Sequence, residues 1–175
     1  RTYLSQNAQR VELKKKGANE NIEYQYVVCD PKDKVKVLLS YLQSQKEKRG
    51  LIFCNTKAAA QTLSKQLQSK NIATDALEGD MKQKERDKVM RAFKNESLQI
   101  LVSTDVAARG IDVKGLSYVV HYQVPEHLEY FTHRSGRTGR AGLNGLSLCL
   151  VSEAEVKRIR FYEQNLKIKM TRMKD

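Results

Sequence analysis

The sequence has few residues of the types that hold metals or form disulfides. Its 175 residues include three cysteines, three histidines and no tryptophan. Cys29, Cys54 and Cys149 are far apart, and each lies in an apolar run that is typical of small core residues. A structural zinc site needs closely spaced pairs of cysteine or histidine, which the sequence lacks. We therefore predict a chain without disulfides and without a bound metal.

Long apolar runs are also missing. No segment approaches the roughly 18 apolar residues of a membrane-spanning helix. The amino-terminal stretch RTYLSQNAQRVELKKK lacks the apolar core of a signal peptide. We therefore expect an intracellular, cytoplasmic chain without a membrane partner. Its length fits one monomeric domain with a core of its own.

Positive charge, in contrast, is in excess. The 32 lysine and arginine residues outnumber the 20 aspartate and glutamate residues, which gives a formal net charge of +12. A basic surface of this size attracts polyanions through the release of their counterions. The excess favours a nucleic-acid partner, although a solvated, lysine-rich surface would have the same composition.

Apolar runs and amphipathic stretches alternate along the chain after residue 21. Strands are predicted at 22–29, 51–54, 72–77, 99–103, 117–122 and 146–151. Helices are predicted at 32–45, 57–69, 82–94, 126–134 and 153–166. This alternation predicts an α/β fold of three layers, with a mostly parallel sheet and helices on both faces. The polar residues 1–21 are predicted to be a flexible lead-in to one domain at 22–175.

Several single residues have more than one interpretation. Tyr24, Tyr26, Phe93 and Tyr118 could stack on bases, but their periodic positions favour core packing. His121 lies in the apolar run VVHY and is interpreted as a strand residue rather than a catalytic base. The carboxy-terminal LKIKMTRMK is either a final strand or the start of an extension.

Polar segments follow the predicted strands. They are Asn55-Thr56-Lys57, Glu78-Gly79-Asp80 with Gln83 and Arg86 just beyond, TDVAARGID at 104–112, and HRSGRTGRAG at 133–142. Ligands of open α/β sheets bind at the carboxyl ends of the strands. We therefore expect all these segments to open on one edge of the sheet and to form a basic, ligand-binding rim.

The segment TDVAARGID has two interpretations. Arg109 offers a cation next to Gly110, whose missing side chain lets a backbone approach closely. Asp112 could accept hydrogen bonds from the hydroxyl pair of a ribose. The other interpretation is an ordinary turn in which an aspartate caps a helix.

The segment HRSGRTGRAG carries three arginines at a spacing of three residues, Arg134, Arg137 and Arg140. Neighbouring cations repel one another unless an anion lies among them, and arginine holds oxyanions with several donors at once. The pattern therefore indicates a polyphosphate ligand. However, the sequence contains neither a P-loop nor an Asp-Glu pair placed to hold magnesium. We infer that another domain cradles the phosphates and that this chain supplies arginine fingers across a cleft.

Four segments together resemble the C-terminal RecA-like domain of DEAD-box ATP-dependent RNA helicases. They are LIFCNTK (51–57), LEGDMKQKERDKVMRAFK (77–94), LVSTDVAARGIDV (101–113) and HRSGRTGRAG (133–142), in the order and spacing of that family. The similarity covers nearly all of the chain after residue 21. Two features depart from the family pattern: Ser135 replaces a bulky aliphatic residue of many members, and the helix after EGDMKQ is unusually rich in lysine.

The resemblance implies a nucleotide site that lies mainly elsewhere. ATP with magnesium would be held by the N-terminal RecA-like domain of the same protein. Arg137 and Arg140 match the arginines that reach the γ-phosphate, and they are the implied catalytic residues. Asp112 matches the carboxylate on the ribose hydroxyls, and Gly110 lies where the backbone is near the nucleotide or RNA.

The resemblance also implies an RNA site and a network between the two domains. The positions that match contacts to the RNA sugar-phosphate backbone are Thr56, Lys57, Gln83, Arg86, Thr104, Arg109 and Gly110. His133 and Arg134, with Asp105, match positions that brace the interdomain network. Because the family grips the backbone of single-stranded or duplex RNA rather than its base edges, a low sequence preference is implied.

The activity implied by the resemblance is local RNA unwinding coupled to ATP hydrolysis, with the isolated domain inactive. Closure of two domains on ATP and RNA would bend one strand so that it cannot stay in a duplex. One alternative is a non-catalytic RNA-binding or partner-docking module, against which the arginine row argues. Another is a DNA-directed translocase or a Rossmann-type enzyme, but no G-x-G-x-x-G segment opens a helix.

Overall fold

A parallel β-sheet forms the centre of the molecule. The computed structural model describes residues 21–111, 113–139 and 144–174. The strands in these ranges are β1 (Ile22–Val28), β2 (Gly50–Phe53), β3 (Thr74–Leu77), β4 (Ile100–Ser103), β5 (Tyr118–His121), β6 (Gly145–Val151) and β7 (Met170–Arg172). They lie in the order β3-β4-β2-β5-β6-β1-β7, and all neighbours are paired in parallel. The predicted parallel sheet is confirmed.

Helices connect most consecutive strands. They are α1 (Lys34–Ser44), α2 (Lys57–Gln68), α3 (Gln83–Lys94), α4 (Asp105–Arg109), α5 (Leu128–Ser135) and α6 (Val156–Leu166). Short 3₁₀ turns precede α1 and α6. Every predicted helix is present within a few residues of its predicted bounds, and α4 is an addition.

Alternate residues along a strand point to opposite faces of the sheet, and helices cover both faces. On one face, Ile52 and Val102 pack with α1 and α2. On the other face, Leu51 and Leu101 pack with α3 and α4, and Cys149 packs with α5 and α6. This double burial explains the unbroken apolar run LIFC, and the predicted three-layer arrangement is confirmed.

The carboxy-terminal LKIKMTRMK contains the strand β7, which confirms the first of its two interpretations. β7 pairs with β1 and lies at the edge of the sheet opposite to β3. Lysines next to a short edge strand discourage pairing with other chains, which accounts for the composition of this segment.

The aromatic residues lie where their periodicity predicts. Tyr24, Phe93 and Tyr118 are buried in the core, and Tyr26 is half-buried. His121 is completely buried in β5, so its interpretation as a strand residue is confirmed. Apart from the half-buried Tyr26, these side chains belong to the packing of the domain and not to its surface.

A buried chain of hydrogen bonds accounts for one departure from the family pattern. Ser135 Oγ lies 2.9 Å from Ser147 Oγ, which in turn lies 2.9 Å from Nε2 of His121. A small polar side chain at position 135 therefore completes a polar path from α5 to β5 through β6.

Three predictions concern residues outside the described ranges. Asp112, Arg140 and nearly all of the predicted lead-in at 1–21 lie there. The roles predicted for them stay predictions.

Candidate functional site

Two neighbouring strands lead into helices that are capped by threonine. Thr56 accepts a hydrogen bond from Ala59 N at 3.1 Å and starts α2, and Thr104 accepts one from Ala107 N at 3.4 Å and starts α4. Because β2 and β4 are paired, the two helix starts lie at one edge of the sheet. The N–H groups of a helix start carry positive partial charge, so this edge favours anions.

The segment TDVAARGID contains α4, which the sequence analysis does not predict. Its cap is Thr104, and Asp105 occupies the first helical position. The interpretation of this segment as a turn with an aspartate cap is therefore wrong. A helix of five residues is too short to show a helical period, which explains the missed prediction.

Lys57 and Asp80 connect the loops that follow β2 and β3. Lys57 Nζ donates to Asp80 Oδ1 at 2.7 Å, and this hydrogen bond raises the pKa of Lys57. Both side chains are more than half exposed, so the ion pair contributes little to stability. An external anion could therefore replace Asp80 at small cost.

Arg86 reaches from α3 to the end of α4. Its Nη2 would lie 3.2 Å from a Cβ atom at Gly110, so the glycine leaves room for the guanidinium. Nε of Arg86 is buried and has no hydrogen-bond partner among the residues that the structure describes. Gln83, one turn earlier on α3, donates to Asp87 at 2.8 Å. The structure thus brings the predicted site residues Arg86 and Gly110 together.

Arg134 is fully buried and ties three strand ends together. Its guanidinium donates to both carboxylate oxygens of Asp105 at 2.8 and 2.7 Å, to Asn55 Oδ1 at 2.7 Å and to the Gln123 carbonyl at 2.9 Å. These partners follow β4, β2 and β5 respectively. A buried charge persists only when it is paired and hydrogen-bonded in this way.

These contacts bear on the predicted interdomain network. Arg134 and Asp105 bind each other inside the domain, and their role in bracing the two domains stays a prediction. The Arg134 guanidinium lies below the surface, with no exposed side-chain area. His133 is exposed on the next position of α5, and its interdomain role stays a prediction.

Arg137 is half-buried and binds the segment after α4. Its Nη1 donates to the carbonyls of Ile111 and Val113 at 3.0 and 3.2 Å, and its Nη2 donates to the carbonyl of Ala108 at 2.7 Å. The guanidinium therefore holds the backbone on both sides of position 112. A single cation thus connects α5 with the segment that was predicted to bind a ribose.

Arg109 lies with Arg137 rather than with Arg86. Its guanidinium carbon is 5.4 Å from the centre of the Tyr130 ring. Arg109, Tyr130, His133 and Arg137 line a small cavity of about 20 Å³ between α4 and α5. Arg109 was predicted to contact RNA together with Arg86, and that contact stays a prediction.

Thr138 and Gly139 of HRSGRTGRAG lie away from the carboxyl edge of the sheet. Thr138 forms an isolated parallel bridge with Leu116, which precedes β5, and a Cβ at Gly139 would lie 2.7 Å from Ile22, where β1 begins. Thr138 and Gly139 therefore do not lie at the carboxyl edge, where this segment was expected to open. The reason is that α5 carries the chain back toward the start of the strands. Side chains lean toward the amino end of their helix, so Arg134 still reaches the carboxyl edge.

Three side chains complete the site without having been assigned a role from the sequence. Asn55 and Gln123 are partners of Arg134 and of each other, since Asn55 N donates to Gln123 Oε1 at 2.6 Å. Tyr130 lies under Arg109. Asn55 could have been identified as a site residue from the sequence, because it is a polar residue that directly follows a buried strand. No sequence pattern identifies Gln123 and Tyr130, because their partners are distant in sequence.

The described residues contain no group of three or more histidine, cysteine, aspartate or glutamate side chains that could hold a metal ion. Cys29, Cys54 and Cys149 are buried and free, and burial raises the pKa of Cys54 and Cys149 to about 12. Among these same residues, no helix has both the length and the apolar character needed to cross a membrane.

Comparison with known proteins places this geometry in a family. A model described as the helicase conserved C-terminal domain matches residues 33–142. The DEAD-box ATP-dependent RNA helicase CshA of Geobacillus kaustophilus is 36% identical over 154 residues, which are 88% of this chain and 33% of the relative. The chain thus spans about a third of the length of this curated relative.

Solved structures agree with the sequence relatives. The C-terminal domain of the DEAD-box protein Dbp5 is 30% identical with a TM-score of 0.81, and the match covers 89% of this chain and 91% of that one. Dbp5 of S. cerevisiae bound to RNA and ADP BeF3 is 28% identical with a TM-score of 0.84, covering 96% of this chain and 49% of that one. The predicted RecA-like architecture is confirmed by these matches. The chain therefore belongs to the helicase conserved C-terminal domain family and is a C-terminal domain of the DEAD-box type.

Proposed function

We propose that this domain acts as the C-terminal half of an ATP-dependent RNA helicase, and that it serves both ligands of that reaction. The observation that carries the proposal is the presence of two separate cationic places. Arg86 lies against Gly110 near the strand ends, whereas Arg137 lies in the cleft between α4 and α5. Coupling of hydrolysis to RNA binding needs one such place for each phosphate-bearing ligand.

The RNA place is the edge formed by the starts of α2 and α4 with Arg86 and Lys57. The hydroxyls of Thr56 and Thr104 accept hydrogen bonds from their own helices, which leaves each hydroxyl hydrogen to donate outward. Backbone N–H groups at a helix start bind phosphate without reading a base. RNA is therefore bound through its sugar-phosphate backbone, with Gln83, Arg109 and Gly110 as further contacts and with low sequence preference.

The nucleotide place is the cleft that contains Arg137. Its donors are cations, and the described residues offer no carboxylate cluster there, which suits the γ-phosphate of ATP and leaves magnesium to an N-terminal domain. Arg137 now donates to three carbonyls, and it would exchange one of them for a phosphate oxygen. A hydrogen bond to an ionised acceptor is roughly twice as strong as one to a carbonyl, so the exchange is favourable. Arg140 joins Arg137 as a second finger, and Asp112 binds the ribose.

Closure of the two domains links the two places. Arg137 contacts the carbonyls of Ala108 and Ile111 on either side of Gly110, which itself lies against Arg86. A shift of Arg137 toward a phosphate therefore changes the position of a backbone segment that also contacts the RNA place. Loss of the γ-phosphate would release this contact and reopen the cleft, so that one bent RNA strand and its displaced partner are released.

The test compares Arg140→Ala and Arg137→Ala in the complete protein, with RNA-stimulated ATP hydrolysis as the measurement. Loss of an arginine finger is expected to lower kcat by about 10³-fold or more. Binding of short single-stranded RNA is expected to persist in Arg140→Ala, because the RNA place is separate. The 175-residue chain alone is expected to hydrolyse ATP negligibly.

Lys157→Ala, an exposed cation on α6, is the matched control and should keep wild-type turnover. Normal hydrolysis by Arg140→Ala, or RNA-stimulated hydrolysis by the isolated chain, would contradict the finger assignment. A complete protein that binds RNA but never hydrolyses ATP would instead support the non-catalytic docking module.

A further inference from the structure

The outer face of α3 carries a stripe of cations that the proposed function does not use. Lys84, Lys88 and Arg91 follow one another at the i, i+4, i+7 spacing of one helix face, and all three are exposed. At 1.5 Å per residue the stripe is about 10 Å long. It accounts for the lysine-rich composition by which this helix departs from the family pattern.

The acidic residues of α3 form their hydrogen bonds with residues outside this stripe. Glu85 accepts a hydrogen bond from the backbone N–H of Lys82 at 3.2 Å, and Asp87 accepts one from the amide of Gln83 at 2.8 Å. Both carboxylates therefore serve the first turn of the helix. Within the described ranges, none of the three cations of the stripe forms an ion pair.

The stripe continues from the proposed RNA place. Gln83 and Arg86 lie in the first turns of α3. The helix then runs from the carboxyl ends of the strands toward their amino ends. Val89 and Phe93 anchor it to the core, which leaves the opposite side to solvent. RNA that leaves the RNA place past the first turn of α3, where Lys84 follows Gln83, thus reaches three further cations on the outer side of the same helix.

The stripe also lacks the apolar groups that a membrane or protein partner would use. The exposed large hydrophobic residues of the described chain are Val106 on α4 and Phe161 on α6, and neither lies on α3. A partner that is bound by cations alone is a polyanion whose charges are regularly spaced.

We propose that Lys84, Lys88 and Arg91 form a second RNA-backbone site, which holds the phosphates of RNA that flanks the strand bound at the sheet edge. This inference rests on the proposed function, because it assumes that RNA enters at Arg86. This second site would bind the duplex or single-stranded tail beyond the bent strand, without base-specific contacts.

The experiment uses the complete protein and two RNA probes. One probe is a short uridine oligomer that fills only the sheet-edge place, and the other is the same oligomer extended by an RNA hairpin. The variant is Lys84→Gln/Lys88→Gln/Arg91→Gln, which removes three charges and keeps good helix formers. The matched control is Lys157→Gln/Arg160→Gln/Lys169→Gln, which removes three exposed charges near the opposite edge of the sheet.

The measurement is the dissociation constant of each probe at several salt concentrations. For three lost phosphate contacts, the slope of log K against log salt for the extended probe should fall in magnitude by about 2, and its affinity at low salt should fall by roughly tenfold. The short probe should bind the α3 variant as it binds wild type. The control should leave both probes unaffected, and all variants should keep the wild-type unfolding midpoint.

Three results would overturn the inference. In the first, the α3 variant binds the extended probe like wild type. In the second, the control loses as much affinity as the α3 variant, which would mean that only net charge matters. In the third, wild type binds anionic lipid vesicles and the α3 variant alone does not, which would assign the stripe to a membrane surface.

Failure of the proposed function has a different signature. If Arg86→Ala leaves binding of the short probe unchanged, the sheet edge is not the RNA place, regardless of how the α3 variant binds either probe. If Arg86→Ala weakens the short probe and the α3 variant weakens neither probe, the proposed function stands and only the α3 site is refuted.

Discussion

Arg134 illustrates how much of this site depends on one buried side chain. Its guanidinium has no exposed area and binds Asp105, Asn55 and the Gln123 carbonyl, each of which follows a different strand. Removal of one member of such a pair leaves a buried charge without compensation, which costs more than the pair itself contributes. Because Asn55 and Asp105 precede or follow Thr56 and Thr104 directly, the same contacts fix the positions of these two threonines relative to each other.

At this scale we predict that Asp105→Asn destabilises the domain by about 3–5 kcal/mol, because Arg134 stays charged and buried. Urea unfolding followed by circular dichroism measures the change. Asp80→Asn is the control, since it makes the same chemical change in the exposed pair with Lys57, and it should leave the unfolding midpoint unchanged. An Asp105→Asn variant as stable as wild type would show that Arg134 finds another partner.

At the scale of elements, Gly139, which follows α5, packs closely against Gly145, where β6 begins. Gly139 has φ +69°, and a Cβ on Gly145 would lie 2.5 Å from the backbone N of Gly139. Neither position has room for a side chain, because backbone atoms of Asn21 and Gly139, together with the Ile22 and Thr138 side chains, lie in the way. This close packing holds Gly139 against the start of β6.

We predict that Gly145→Ala lowers the free energy of unfolding by about 2 kcal/mol or more, since overpacking against backbone forces β6 or the turn to shift. Gly136→Ala is the matched control. Its new Cβ would meet only the Thr132 and His133 carbonyl oxygens, at 3.4 and 3.6 Å, so its stability should be close to that of wild type. Thermal unfolding of both variants distinguishes local overpacking from a general effect of replacing glycine in this segment.

At the scale of the whole molecule, His121 connects the core to the charge network. It is completely buried between the Phe53 and Phe131 rings, and Ser147 is its hydrogen-bond partner. Burial, and secondly the positive charge of Arg134, lower the pKa of His121 well below its usual value of 6.5. The folded domain therefore keeps this imidazole neutral where the unfolded chain would protonate it.

This difference predicts how stability depends on pH. Because the unfolded state binds more protons below about pH 6.5, His121 contributes full stability above that pH and loses it as the pH falls toward the folded pKa. The expected loss is up to about 1.4 kcal/mol per pH unit, measured by urea unfolding between neutral and mildly acidic pH.

The control compares two histidine variants. His121→Gln should flatten this dependence, whereas the exposed His133→Gln should keep the wild-type slope. Equal slopes for wild type and His121→Gln would refute the assignment of the pH effect to His121.

Local patterns in the sequence were sufficient to predict the layers of the fold. The alternation of apolar runs with amphipathic stretches predicted the parallel sheet, and the four motif segments predicted the family. Both succeed because periodicity and motif spacing are properties of neighbouring residues, and they do not depend on where the chain turns next. Thr56 and Arg86 could likewise be placed at the carboxyl edge from their positions just after strands.

The arrangement of the arginines depended on the three-dimensional packing. Arg134 lies 79 positions from Asn55 and 29 from Asp105, so no local pattern could show that it is buried among them. The course of α5 back toward the start of the strands separates Arg134, at the carboxyl edge of the sheet, from Arg137, in the cleft between α4 and α5. A sequence specifies which cations are present, but the direction of each element and the burial of each charge decide which of them a ligand can reach.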